Sequence, residues 1–513
     1  IAAFVFTRLP TSFMPDEDQG YVIMSVQLPG GATKERTDNT LAAATDLVRG
    51  MPEVENVIGV SGFSFSGSGQ NMALGFIMLK DWAERPDAGS DAMSLAGKMT
   101  GALMGTIKDG YAIVINPPAI SELGNNSGFT MYLQDRNSSG HEALLAKRNE
   151  LLGKMRQSPI LKDVRPSGLE DAPQLKIDIN RQAAAAQGIS FSSIQATLAS
   201  ALGSSYVNDF PNKGRLQRVI VQAEAASRMQ PADILALTVP NSSGVVVPLS
   251  TIATVAWENG MEQSQRFNGY PAMQLTGAPA EGYSTGDAMN EVQRLVDDLG
   301  GAYSLEWTGQ SREEIKSGSQ TMMLYTFAAI AVFLALAALY ESWSIPMAVI
   351  LVVPLGVLGV VSGVWLRGYD NGIYFQIGLI TVMGLSAKNA ILIIEFAKDL
   401  QAQGRTALEA ALEAAHLRFR PIIMTSLAFI LGVVPLYIAS GASSASQRAI
   451  GTSVFWGMSV GTFLAVFLVP LFYVVVRKFF KGGKRQQEQL AVESAGAATD
   501  VSEEERVRHD NKD

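Results

Sequence analysis

Five long apolar segments in the C-terminal part of the sequence limit what this chain can fold into more than any other feature. They cover residues 321–340, 345–366, 373–396, 421–440 and 449–476. Each contains about 20 residues or more, and at about 1.5 Å per residue a helix of that length crosses a hydrocarbon layer of about 30 Å. The pattern predicts five transmembrane helices. The apolar stub 1–6 lacks the features of a signal peptide, so we interpret it as the end of a further helix that begins upstream.

Basic residues cluster in the links on one side of the predicted bundle. They are Lys398, Arg405, Arg418, Arg420, Arg477, Lys478, Lys481, Lys484 and Arg485. The links on the other side carry one basic residue each, Arg367 and Arg448. Because basic links face the cytoplasm, the residues before 321 are predicted to lie outside it. The charged tail 481–513 is predicted to be disordered.

Composition excludes several classes of function. Charged residues make up 17% of the chain, against about 25% in soluble domains, and the deficit falls in the apolar segments, which argues against a wholly soluble enzyme. The net charge of −8 disfavours a nucleic-acid partner. The chain has no cysteine and only three histidines, which lack the spacing of a metal site.

The first 300 or so residues alternate strand and helix patterns. Strands are predicted at 21–28, 54–60, 72–79, 111–115 and 129–133, and helices at 33–51, 90–107 and 141–157. With a last strand from Val164 onward, this contains the β-α-β-β-α-β order of a ferredoxin-like unit. A second such unit begins near Val164, is interrupted at about 189–257, and resumes with a strand at 274–278 and a helix at 285–299. Inside the interruption, two β runs flank Pro211-Asn212-Lys213-Gly214 and predict a hairpin, which is either a docking element or a plain surface hairpin.

Lys388 is the most informative single residue. It lies about 22 Å along the third apolar segment, too deep to reach either surface easily. A lysine at that depth costs about 2.5–3.5 kcal/mol on insertion scales and needs an anionic or carbonyl partner. It belongs either to an intramembrane proton relay or to a structural ion pair. No Asp or Glu lies in the middle of any of the five segments, so an acid that titrates in such a relay must lie outside them.

Two further pairs of residues allow a functional and a structural interpretation. Arg418 and Thr425 are seven residues apart and share a face of the fourth helix, as relay members or as a cytoplasmic anchor and a packing residue. Phe63 and Phe65 lie in the Gly/Ser-rich stretch 61–69, where they line a pocket for apolar ligands or form a hydrophobic plug. No phosphate-binding loop is complete, because Tyr283 stands where a Walker loop needs lysine.

Several long motifs are similar to those of resistance–nodulation–division multidrug exporters. They are LPTSFMPDEDQG at 9–20, VRPSGLEDAPQ at 164–174, SYVNDF at 205–210, ALYESWSIP at 338–346, GLSAKNAILIIEFAKDL at 384–400 and RFRPIIMTSLAFILGVVPL at 418–436. The resemblance covers nearly the whole chain except the tail, and it is to the C-terminal half of these transporters.

The resemblance implies an α-helical transmembrane bundle, five full spans plus the end of a sixth, with periplasmic α+β ferredoxin-like porter subdomains and an inserted docking subdomain. The implied division is the end of a helix at 1–9, a first porter subdomain at 10–163, a second at 164–188 and 258–315, a docking subdomain at 189–257, five helices at 316–480, and a cytoplasmic tail at 481–513. The implied function is a drug/proton antiporter of the Gram-negative inner membrane, not an enzyme. It would have no cofactor beyond the proton gradient and would work as a homotrimer with a periplasmic adaptor and an outer-membrane channel.

The resemblance also implies roles for individual residues. The relay positions are Lys388, Asn389, Arg418 and Thr425; the positions lining the drug pocket are Phe63, Phe65, Ile113, Ile115, Pro117, Glu122 and Arg165; the docking hairpin contains Tyr206, Asp209, Phe210 and Arg215. Members often carry phenylalanine where Ile113 and Ile115 stand, and a basic residue where Ser68 stands. The alternatives are a related exporter of lipid or of another substrate class, and a membrane-tethered binding module that does not transport.

Overall fold

A computed structural model describes residues 6, 8–87, 89–120, 123–124, 128–442 and 444–479 of the chain. The predicted tail 481–513, most of the predicted helix end at 1–9, and Glu122 lie outside these residues. The described chain divides into two compact units: Leu169–Ser264, and the residues on either side of it.

The first sheet of the larger unit is built from four antiparallel strands. These are β1 (Tyr21–Gln27), β2 (Val54–Ser64), β3 (Gly67–Leu79) and β4 (Tyr111–Ile115), in the order β2-β3-β1-β4. Helices α1 (Lys34–Arg49) and α2 (Ala92–Thr106) complete a β-α-β-β-α-β succession. Alternate residues of β1 and β4 pack with these helices in one apolar core, because successive strand residues point to opposite faces.

The second sheet takes its strands from two distant stretches of the chain. Strands β5 (Phe129–Asp135) and β6 (Leu161–Ser167) flank helix α3 (His141–Gln157). Strands β13 (Arg266–Phe267), β14 (Tyr270–Pro279) and β15 (Tyr303–Trp307) come later in the chain, and helix α7 (Thr285–Asp297) lies between the last two. β14 pairs with β5, β6 and β13, and β15 pairs with β5.

This pairing differs from the predicted division at residue 163. The first subdomain implied by the resemblance, 10–163, includes residues 129–163, whereas β5 and α3 belong with the second sheet. The alternation of strands and helices along the chain does not specify which sheet a strand joins, because the pairing partners of β5 lie more than 100 residues away.

The smaller unit is an insertion that is longer than predicted. Its long strands β7 (Ala172–Ile179) and β12 (Ala253–Gly260) form an antiparallel ladder, so the predicted bounds 189–257 are too narrow. Between them lie helices α4 (Arg181–Ala186), α5 (Phe191–Leu198) and α6 (Pro231–Ala236), and strands β8 (Ser205–Asn212), β9 (Arg215–Val221), β10 (Thr238–Pro240) and β11 (Val246–Pro248). β8 and β9 form the predicted hairpin.

The C-terminal part of the described chain is helical. Its elements are α8 (Gly309–Tyr340), α9 (Ser344–Ile350), α10 (Val353–Leu366), α11 (Ile373–Ala402), α12 (Ala407–Tyr437) and α13 (Ser444–Phe479). Five helices here are long and apolar enough to cross a membrane, with α9 and α10 forming one of them. Their positions agree with the five predicted segments.

The ends of these helices follow local chemistry that hydropathy does not record. α8 starts earlier than predicted because its first turns are polar, although Gln310 and the run Arg312–Lys316 within them are mostly good helix formers. Pro354 lacks an amide hydrogen and stands at the start of α10, where the helical path is interrupted after α9. α12 starts at a capping box in which the side chains of Thr406 and Glu409 each accept a hydrogen bond from the other residue's amide.

Candidate functional site

Lys388 lies near the middle of the 30-residue α11, on an exposed face of the helix. Its Nζ atom is 5.8 Å from the ring centroid of Phe429 on α12, within range of a cation–π interaction. Among the residues that the structure describes, it forms no ion pair. A cation at this depth therefore faces an aromatic ring rather than an anion.

Arg418 on α12 contacts α11 at a different level. Its guanidinium carbon lies 3.4 Å from the ring centroid of Phe396, and its Nε atom is buried with no hydrogen-bond partner among the described residues. Phe396 is eight residues beyond Lys388 on α11, about 12 Å along the axis. The structure thus places Lys388 and Arg418 along one helix pair without bringing them into contact.

Asn389 belongs to a buried polar chain that joins three helices. Its Nδ2 donates to Ser426 Oγ on α12 over 3.2 Å, and Thr462 Oγ1 on α13 donates to the same oxygen over 3.0 Å. All three side chains are buried. Interhelical hydrogen bonds of this kind stabilise membrane bundles by about 0.6 kcal/mol each on average. These hydrogen bonds connect α11 to both α12 and α13 at Asn389, the residue that follows Lys388.

Sequence reasoning missed Ser426 and Thr462. Hydroxyl residues are common in membrane helices, and nothing in their spacing distinguishes these two from residues that bond to their own helix. Thr425, which was predicted, does bond in that way: its Oγ1 donates to the Ile422 carbonyl over 3.1 Å. It lies one turn from Phe429 and so shares the face that approaches Lys388.

Phe63 and Phe65 lie at the end of the β2–β3 hairpin rather than in a loop between shorter strands. Phe63 pairs with Ser68, and Ser64 pairs with Gly67, so Phe65 and Ser66 form the turn. The Ser66 amide donates to Ser64 Oγ over 2.9 Å. The two rings are 47% and 40% exposed, so neither acts as a buried plug within the described residues.

Ile113 and Ile115 lie on the face of β4 opposite the helices. Their neighbours Ala112 and Val114 enter the core beneath α1 and α2, so strand alternation turns both isoleucines the other way. Pro117 is buried just after the strand. Arg165 on β6 affects Tyr111, the first residue of β4. Partial burial raises the pKa of the Tyr111 hydroxyl, and the positive charge of Arg165 offsets part of the rise.

The β8–β9 hairpin is exposed along nearly its whole length. Its turn residues Lys213 and Gly214 both have positive φ, 47° and 76°, as a two-residue hairpin turn requires. Among the predicted docking residues, Phe210 pairs with Gln217, and Asp209 with Arg218. The Arg218 guanidinium stacks 5.9 Å from the ring centroid of Tyr206.

No group of three His, Asp or Glu side chains in the described part of the chain could hold a metal ion. A cavity of about 420 Å³ lies where α7, α8 and the start of α11 meet, and Glu314 and Tyr325 are among its lining residues. The Thr285 hydroxyl donates to the Glu314 carboxylate over 2.9 Å.

The amino-acid sequence matches a known protein family. Residues 1–477 match the model described as the AcrB/AcrD/AcrF family. The multidrug/solvent efflux pump membrane transporter MepB of Pseudomonas putida is 48% identical over 493 residues, which is 96% of this chain and 47% of that protein. The toluene efflux pump membrane transporter TtgB, also of Pseudomonas putida, matches over the same shares at 48% identity. The multidrug export protein AcrF of Escherichia coli is 48% identical over 484 residues, 93% of this chain and 46% of its own length. The chain thus spans about half the length of the curated relatives it matches.

Proposed function

Because this chain belongs to the AcrB/AcrD/AcrF family, we propose that it is the C-terminal half of a drug/proton antiporter that exports amphiphilic compounds. The relatives are named as multidrug, solvent and toluene pumps, which supports apolar or amphiphilic small molecules as the substrate class. Transport driven by the proton gradient needs no cofactor.

One observation carries the antiport part of the proposal: Lys388 stands on an exposed face near the middle of α11 with no anion among the described residues. A cation at mid-bilayer is tolerated when it faces protein and an acidic partner. This requirement is met if an acid-bearing helix of the other half packs on the exposed face of α11 at Lys388.

The coupling then follows from charge. When the partner acid is ionised, it holds Lys388 in an ion pair; when it is protonated, the attraction is lost and Lys388 is released. The Asn389–Ser426–Thr462 chain joins α11 to α12 and α13 beside the lysine, so a shift of α11 is shared by three helices. One elementary charge crossing 100 mV supplies about 2.3 kcal/mol per proton for this work.

The two sheets supply the drug path. We assign them as two ferredoxin-like porter subdomains on the periplasmic side, with Phe63 and Phe65 at the tip of the β2–β3 hairpin and with Ile113, Ile115, Pro117 and Arg165 lining the pocket. Glu122 is assigned to the same pocket from the family resemblance alone. Aliphatic Ile113 and Ile115 favour aliphatic over aromatic contacts with substrate.

The exposed β8–β9 hairpin supports a docking role. We propose that Tyr206, Asp209, Phe210 and Arg215 contact a periplasmic adaptor protein or outer-membrane channel, in a homotrimer seated in the inner membrane. An exposed hairpin with several large apolar side chains fits protein contact better than free solvent.

The test is Lys388→Ala in the intact transporter. Drug resistance should fall to that of a strain lacking the transporter. Trimer assembly should stay unchanged, because the variant removes one charge and no side chain of the apolar core. Lys398→Ala is the matched control. Lys398 lies on the same helix nearer its end, with its ammonium 6.0 Å from the ring centroid of Tyr340, and its loss should leave export nearly intact.

Full resistance in Lys388→Ala cells would reject the relay. A membrane-tethered binding module would also tolerate Lys388→Met without functional loss. Substitutions at Lys388 therefore distinguish an antiporter from a binding module.

A further inference from the structure

The short segment Asp16–Gln19 connects the start of the described chain to β1, and its side chains reach two different parts of the larger unit. Glu17 is only 2% exposed. Its carboxylate accepts hydrogen bonds from the backbone amides of Ala445, over 3.1 Å, and Ser446, over 2.7 Å, and from the Ser446 hydroxyl. It therefore satisfies amides in the first turn of α13, where the helix dipole also favours a negative charge.

The Glu17 carbonyl oxygen and the Asp18 carboxylate bind the first sheet and the start of its helix α2. The Glu17 carbonyl oxygen accepts from Asn116 Nδ2 over 3.1 Å, just beyond the end of β4. The Asp18 carboxylate pairs with Arg85 over 3.1 Å and accepts from the Ala92 amide at the start of α2 over 2.9 Å. Adjacent acidic residues thus hold the first turns of two helices, one in the membrane bundle and one beneath the first sheet.

Both ends of this connection lead to functional parts of the molecule. After Gly20, the chain continues directly into β1, which lies between β3 and β4 in the first sheet. At the other end, α13 packs along α10, α11 and α12 and contributes Thr462 to the polar chain beside Lys388. A displacement of α13 along its axis would pull on the Glu17 carboxylate.

We propose that Glu17 is the positioning residue through which movement of α13 reaches the first sheet, an inference that rests on the proposed antiport function. A carboxylate suits this role because it accepts several hydrogen bonds at once and bonds to it are about twice as strong as neutral ones. Glutamine would present an NH₂ group toward N–H donors, and aspartate would be one methylene too short.

The first experiment compares Glu17→Gln with Glu409→Gln in the intact transporter. Glu409 is a matched control because its carboxylate also caps a long membrane helix, α12, but its hydrogen bonds run to Thr406 of its own capping box. In Glu17→Gln, the maximal rate of drug export should fall by about tenfold or more, the factor for losing a charged hydrogen bond, with unchanged KM for drug and unchanged trimer yield. Glu409→Gln should keep the parental rate.

A second variant guards against simple misfolding. The variant Ser446→Ala removes one of the three hydrogen bonds to the Glu17 carboxylate and keeps both backbone amide donors. Its export rate per trimer should lie between that of Glu17→Gln and that of the parent, because part of the contact remains.

The outcomes separate this inference from the function beneath it. If the unsubstituted transporter exports no drug, the proposed function fails. If it exports drug but Glu17→Gln keeps the parental rate, or loses rate only in proportion to lost trimer, the positioning role is overturned. An export rate in Ser446→Ala as low as that in Glu17→Gln overturns it as well.

Discussion

At the scale of single residues, Glu17 and Lys388 show two ways of holding a charge away from water. Glu17 is buried and satisfied by donors from one helix turn, as buried charges in folded proteins require. Within the described chain, Lys388 has the Phe429 ring beside it and no anion, and an aromatic ring compensates far less than a carboxylate. The Glu17 charge is compensated within the described residues, whereas the Lys388 charge would gain its anion only under the proposed function.

Asp18 gives a prediction about pH. Burial alone would raise the pKa of its carboxyl, but hydrogen bonds from Arg85, Gly20 and Ala92 outweigh burial and lower the pKa below its ordinary 3.8. The ionised Asp18 carboxylate therefore stabilises the folded state fully above pH 3.8, and this contribution is lost as pH falls through the lower pKa of the folded state. Asp18→Asn should lower the free energy of unfolding at pH 7 by about 1–3 kcal/mol, because Arg85 keeps a buried charge without its partner.

The measurement is the unfolding midpoint of both proteins in detergent from pH 7 downward. The gap between them should narrow only in strong acid, below the ordinary carboxyl range. A gap that closes near pH 6 would show that another group is responsible.

At the scale of elements, glycines set how closely α10 and α13 pack. A methyl group on Gly359 of α10 would lie 2.7 Å from the Trp456 carbonyl oxygen and 3.0 Å from the Gly457 Cα of α13. Both neighbours are backbone atoms, so the helices themselves would have to separate. Small residues at such crossings are what allow membrane helices to approach closely.

Gly359→Ala should therefore destabilise the bundle by about 1–3 kcal/mol, the usual cost of overpacking. Gly432→Ala on α12 is the matched control, since a methyl group there meets nothing within 4 Å among the described residues and alanine favours a helix. Thermal unfolding of the two variants in the same detergent checks the difference. Equal unfolding midpoints for the two variants would mean that α10 and α13 can separate without a loss of stability.

At the scale of the whole molecule, α12 is covered little by the other described helices. Large apolar side chains stand in the open along this helix, listed here in order: Leu412, Leu417, Phe419, Met424, Leu427, Phe429 and Leu431. Phe429 is also the ring that contacts Lys388. Under the proposed function, the helix that packs beside Phe429 must supply the acid for Lys388.

This requirement predicts opposite effects of one substitution in two settings. In the 513-residue chain expressed alone, Lys388→Met should raise the yield of membrane-inserted protein, because it removes a charge that costs about 2.5–3.5 kcal/mol at mid-bilayer. In the intact transporter, the same substitution should abolish export. Insertion assays and resistance assays on matched samples check both signs. A lower yield from the isolated chain would show that Lys388 already has its anion there.

Much of the fold was predictable because it depends on local pattern. The apolar segments gave the positions of the membrane helices, and the Pro-Asn-Lys-Gly turn gave the β8–β9 hairpin. The Gly/Ser-rich stretch 61–69 was predicted as a loop because composition does not show that Phe63 and Ser68 pair across a continuing hairpin. Of the candidate relay residues, Lys388 stood out because a charge in an apolar segment is visible in sequence, whereas Ser426 and Thr462 were not.

Hydropathy and turn chemistry act over a few neighbouring residues, so the amino-acid order alone determined the membrane-spanning helices, the exposed hairpin and the depth of Lys388. Only the tertiary structure decided that β5 joins β14 and β15, that Asn389, Ser426 and Thr462 meet, and that Glu17 holds the first turn of a helix 428 residues away. These contacts join parts of the chain whose separation in sequence carries no information about their distance, and they form only when packing brings the whole molecule together.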